Sequence, residues 1–140
     1  MTRTRCATLS LCACTLALAA CTATNTNRTP DLTSGLTIPA GETFNLGGEQ
    51  RGDYNAEITN KGSVAVELYS TNSGQNFGED RLSDTPVLIG TVEPGAWERF
   101  SAGAGTPLLL KNTSDTVDAK LKVEVWGDTN LSMFYTDNED

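Results

Sequence analysis

Histidine is absent from the 140 residues, and all four cysteines (Cys6, Cys12, Cys14, Cys21) crowd the N-terminal end. The first absence removes the commonest general base and the commonest metal ligand together. Ser-His-Asp and Cys-His nucleophile arrangements are excluded with it. The second leaves Thr22 to Asp140 without a thiol, so neither a disulfide framework nor a Cys/His zinc site can form there. Aromatic residues make up only 6% of the chain. There is no glycine-rich phosphate loop of the strand-to-helix kind, and no segment of helical period long enough to argue for a helix. Basic residues are outnumbered, 10 against 18 acids, for a net charge of −8. Such a surface repels polyanions, so no nucleic-acid partner is expected. With these groups missing, the chain is expected not to be an enzyme and to need no metal or cofactor.

The N-terminus carries a signal. Arg3 and Arg5 precede a short, mildly apolar stretch ending in small residues, the charge order of a secretory leader. That stretch falls short of the roughly 20 predominantly apolar residues of a bilayer-spanning helix. Leu18-Ala19-Ala20-Cys21 resembles the lipobox of bacterial lipoproteins. The resemblance implies cleavage after Ala20, a diacylglyceryl group on the Cys21 thiol and acylation of the new amine, with palmitate as an acyl chain. An ordinary leader cut at the same bond, leaving Cys21 free, is the competing reading. Each buried methylene contributes about 0.8 kcal/mol, so two or three chains on one residue hold almost permanently. Loss of Arg3 and Arg5 takes the net charge from −8 to −10. The implied partner is the lipid bilayer, and the implied location is the cell envelope. In Gram-negative lipoproteins an aspartate after the cysteine tends to retain the product at the inner membrane. Thr22 there permits outer-membrane sorting; a host without an outer membrane would carry the protein on the outer face of its cytoplasmic membrane.

The chain divides into a signal peptide (1–20), the lipidated cysteine with a polar Thr/Asn-rich tether (21–34), a β domain (35–136) and an acidic tail (137–140). As a coil, the thirteen residues from Thr22 to Ser34 would span about 20 Å. Tyr54–Asn60 and Val64–Tyr69 alternate apolar and polar residues around Asn60-Lys61-Gly62-Ser63, which reads as a tight hairpin. Leu108–Leu110 and Ala119–Trp126 flank a second turn at Asn112–Thr116. Thr37-Ile38-Pro39-Ala40-Gly41 resembles Thr91-Val92-Glu93-Pro94-Gly95, and Ile58-Thr59-Asn60 resembles Leu110-Lys111-Asn112. Two four-strand halves follow, unless the likeness is only the monotony of strands and turns. The expected fold is all-β, an antiparallel sandwich of about seven to nine strands, with a small closed barrel as the alternative.

Candidate site residues are few. Asn72–Thr85 lacks a strand pattern and is long for a connection, either a crossover between sheets or a binding loop. It carries Phe77, Glu79 and Asp80. Tyr69 and Trp126 each lie opposite the inward residues of their strands, which suggests a shared exposed face. Arg51-Gly52-Asp53 reads as turn chemistry. A carboxylate-based hydrolase would need two acids about 5 to 9.5 Å apart across a groove. The expected function is a membrane-anchored envelope lipoprotein with a non-catalytic binding or structural module, its partner an envelope protein or glycan. An enzyme inhibitor and a glycan-binding module are the alternatives.

Overall fold

The computed structural model describes residues 28–71 and 85–138. Nine strands form two antiparallel sheets packed as an open sandwich, and the sheets do not close into a barrel. In chain order they are β1 (Leu32–Ile38), β2 (Glu42–Gly47), β3 (Tyr54–Asn60), β4 (Val66–Ser70), β5 (Val87–Val92), β6 (Trp97–Ala102), β7 (Pro107–Asn112), β8 (Ala119–Gly127) and β9 (Met133–Asp137). One sheet runs β1-β8-β3-β6 and the other β5-β4-β7-β2-β9. Period-two alternation sends Tyr54, Ala56, Ile58 and Leu121, Val123, Val125 inward to meet Leu46, Leu68, Leu108 and Leu110 of the facing sheet. Each such aliphatic side chain contributes about 1.5 to 3 kcal/mol when fully buried. Tyr54 is buried to its hydroxyl, which donates to the Leu46 carbonyl at 3.2 Å; burial pushes its phenol well above the ordinary tyrosine range.

The two halves are repeated. Matching β1 with β5, β2 with β6, β3 with β7 and β4 with β8 carries the order β1-β8-β3-β6 onto β5-β4-β7-β2. The repeat therefore exchanges the two sheets, and β9 is the one described strand without a counterpart. The Pro/Gly turns at Pro39–Gly41 and Glu93–Gly95 occupy equivalent places, with Gly41 and Gly95 both at positive φ (75° and 80°).

Three readings of connectivity are corrected. Asn60-Lys61-Gly62-Ser63 is not a hairpin, because β3 and β4 lie in different sheets; the turn at Asn112–Thr116 likewise arches from β7 to β8 across the sandwich. Residues 72–85 join neighbouring strands of one sheet, since β4 pairs directly with β5, so they are not a crossover. The tether ends earlier than expected: Leu32, Thr33 and Ser34 already pair with Val125, Glu124 and Val123 of β8. This segment has little strand character of its own, and the open edge of β8 supplies the ladder that orders it. The sheet also extends past 136. Asp137 belongs to β9, and Asn138 accepts from Thr43 Oγ1 at 2.6 Å, so the acidic tail begins beyond it.

Candidate functional site

The outer face of the four-stranded sheet is set by register. Trp126, Asn55 and Ser101 form one row across β8, β3 and β6; Glu124, Glu57 and Arg99 form the next; Lys122, Thr59 and Trp97 form a third. Glu57 opposite Glu124 places like charges side by side, an arrangement that destabilises a sheet unless compensated. Compensation is present on both flanks. Arg99 Nε contacts Glu57 Oε2 at 2.9 Å, and Lys122 Nζ contacts Glu124 Oε1 at 2.8 Å. The Arg99 guanidinium also lies 5.4 Å from the Trp97 ring centre, a cation–π distance.

Above the first row the incoming chain straps across Trp126. The indole Nε1 donates to the Arg28 carbonyl at 2.9 Å, which fixes the ring's orientation. Asp31 pins the strap twice, its amide donating to the Val125 carbonyl and its Oδ2 accepting from the Gly127 amide, both at 2.8 Å. The same Oδ2 meets Arg28 Nη2 at 3.1 Å. Ser101 Oγ donates to Asn55 Oδ1 at 2.6 Å. The result is a concavity of about 440 Å³ walled by Arg28, Arg99, Trp126, Asn55 and Ser101, with the strands at Ala56 and Phe100 beneath. Among the described residues, no carboxylate lines it.

No family model matches the chain, and no curated protein does. Among solved structures, the fold is similar to that of the Yersinia pseudotuberculosis-derived mitogen, at 14% identity and a TM-score of 0.41, covering 74% of this chain and 95% of that one.

The expected pairing of Tyr69 with Trp126 on one face does not occur. Tyr69 lies on β4, in the five-stranded sheet, and Trp126 on β8, in the four-stranded one. Both side chains point outward, so they sit on opposite sides of the sandwich. Equal phase along a strand says which residues face out, but not from which sheet. The Tyr69 hydroxyl donates to Glu67 Oε2 at 2.7 Å, and that bond to a neighbouring carboxylate raises its pKa. Cys21, Phe77, Glu79 and Asp80 lie outside the described residues. Arg51-Gly52-Asp53 is stitched into turns: the Gly52 amide donates to Asp128 Oδ2 at 2.8 Å, and Asp53 Oδ1 accepts from the Ala104 amide at 3.2 Å.

Glu42 and Asp137 are the acids that pairing sets side by side at a depression, on the β2–β9 edge. Adjacent strands lie under 5 Å apart, which leaves no groove between them for a sugar ring. Arg28 and Arg99 are the residues that sequence reasoning missed. Arg28 stands in a run that reads as tether, and Arg99 in a strand whose neighbours no local pattern reveals. Only the β3–β6 and β3–β8 registers bring their surroundings together.

Proposed function

We propose that the chain is an envelope lipoprotein, anchored in the membrane through acylated Cys21, whose sandwich is a non-catalytic binding module working through the outer face of its four-stranded sheet. The observation that carries the binding role is the concavity itself. It is walled by two guanidinium groups, an amide, a hydroxyl and a tethered indole, all recognition groups and none a nucleophile–base pair. The anchor is supported by Leu18-Ala19-Ala20-Cys21. That motif also favours the cell envelope as location, on the outer membrane where the host has one.

Two measurements test the reading. Mass spectrometry of the mature N-terminus should find Cys21 bearing a diacylglyceryl thioether, and Cys21→Ser should move the protein from the membrane to the soluble fraction. A free thiol, or a retained leader, would remove the anchor. Hydrogen exchange of the mature protein mixed with purified envelopes should slow at β3, β6 and β8. Slowing confined to the five-stranded sheet, or none at all, would remove the binding face.

A further inference from the structure

We infer that the concavity bounded by Arg28, Arg99 and Trp126 recognises an acidic sugar: a glycan unit whose carboxylate lies at the two guanidinium groups and whose ring rests near the indole. The inference rests on the binding role proposed for this face and names the ligand class it takes.

Charge is the first argument. From Thr22 onward the chain has 8 basic residues against 18 acidic ones, yet two arginines, and no acid among the described residues, wall this concavity. Each guanidinium is held on one edge by a neighbouring acid, so the concavity offers oriented anion donors on a chain that is otherwise acidic. Donor supply is the second argument. Arg28 meets Asp31 through Nη2 alone, and Arg99 meets Glu57 through Nε alone. The side chains are 65% and 52% exposed, so their remaining N–H groups are open to a carboxylate, which the planar guanidinium fork fits.

The third argument is the kind of wall. Asn55 and Ser101 already bond to each other, Ser101 Oγ to Asn55 Oδ1, which leaves the Asn55 amide N–H groups aimed elsewhere as donors for ring hydroxyls. The Trp126 indole spends its one N–H on the Arg28 carbonyl, so what it offers a ligand is an apolar surface held in place. A volume of about 440 Å³ lies in the range of small-molecule sites and exceeds what a bare inorganic anion would fill.

A lipid headgroup is the sharpest rival, because the seven residue steps from Cys21 to Arg28 span at most about 25 Å. Against it stands the Trp126 surface held in place by the Arg28 carbonyl, which fits the face of a sugar ring that a phosphodiester headgroup lacks. A neutral sugar is the other rival, and it leaves the exposed N–H groups of both arginines without an anion to match them.

The test is calorimetric titration of the mature lipidated protein in detergent micelles with tetragalacturonate, with maltotetraose, and separately with phosphatidylglycerol vesicles. Tetragalacturonate should bind, more weakly as sodium chloride rises, while maltotetraose gives no heat. Arg28→Gln and Arg99→Gln should each weaken binding tenfold or more. Trp126→Phe, which keeps a ring but loses the tie to Arg28, should weaken it less. Because Arg99 also compensates Glu57, thermal melts must show each variant folded, and Lys122→Gln serves as the control that removes a nearby charge outside the concavity.

Equal binding of the two oligosaccharides would overturn the acidic specificity while leaving a binding face intact. Vesicle binding that depends on both arginines, without sugar binding, would assign the site to headgroups and overturn the inference. Tetragalacturonate binding indifferent to all three substitutions would place the sugar elsewhere. If no probe binds, the ligand class is wrong. The exchange pattern with whole envelopes then decides separately whether the face binds anything.

Discussion

Asn60 and Asn112 do at the residue scale what the sheet ladders do for strands. Each is fully buried at the end of its strand, where the chain leaves one sheet for the other. Asn60 Nδ2 donates to the Val64 and Val92 carbonyls at 2.7 and 2.9 Å, and its Oδ1 accepts from the Gly62 amide at 2.9 Å. Asn112 repeats the pattern with Val117, Ile38 and Pro39 as acceptors and the Ser114 amide as donor. A departing strand end strands its carbonyls away from water, and one amide side chain satisfies several at once. Asn60→Ala and Asn112→Ala should each lower unfolding free energy by about 3 kcal/mol in urea titrations, since an unpaired buried polar group costs about 1 to 3 kcal/mol. A loss no larger than that of an exposed substitution would show that the arches hold without them.

At the scale of elements, the loops at one end of the sandwich are tied to one another by backbone. Gly127 closes β8 at φ 104°, and a Cβ there would stand 2.6 Å from the Asp53 carbonyl oxygen. Gly127→Ala is expected to cost about 2 kcal/mol or more, from a disfavoured φ and the displaced β3 entry. Thermal melts of the two variants check this, since Gly35→Ala in β1, with open space around its Cβ, should be close to neutral. Beside Gly127, the Asp128 carboxylate accepts from the Asn130 and Gly52 amides at 2.9 and 2.8 Å, and these bonds hold its pKa below the ordinary 3.8. A depressed folded-state pKa means the stabilisation is complete above 3.8 and fades as pH falls through the folded value. Stability measured from pH 5 to 2 should therefore drop more steeply for the native chain than for Asp128→Asn.

The edges show what the ninth strand does. β2 is flanked by β9 in the same sheet, and its outward Thr43 and Asn45 are buried, bonded to Asn138 and Thr136. Its repeat partner β6 has no such cover, and Trp97 is 57% exposed there. Glu98 and Arg99 charge that open edge, a usual guard against strand-to-strand association.

For the molecule as a whole, packing has to supply stability without cross-links, since residues 22 to 140 carry no cysteine. Melting of the mature protein should be unchanged by reductant; a drop in melting temperature on reduction would show that Cys21 engages in a disulfide between chains rather than carrying lipid. The sheet character, the strand count and the repeat were all legible. Alternation in Tyr54–Asn60 and Ala119–Trp126 is a property of one strand at a time, and the matched Ile38-Pro39 and Val92-Glu93 turns recur within the chain itself. The ends were not legible, because β1 and β9 become strands through the edges they join, β8 and β2, rather than through any pattern of their own.

The sequence by itself determined that this is an all-β chain without imidazole, strongly acidic and thiol-free after Cys21, because composition and period-two alternation are local facts. Tertiary structure alone decided that the Asn-bearing turns are arches, that Tyr69 and Trp126 face away from each other, and that Arg28 meets Trp126 at a concavity that Arg99 also lines. Those follow from which strands pair, and strand pairing is fixed by the burial of both sheets against one another across residues far apart in the chain.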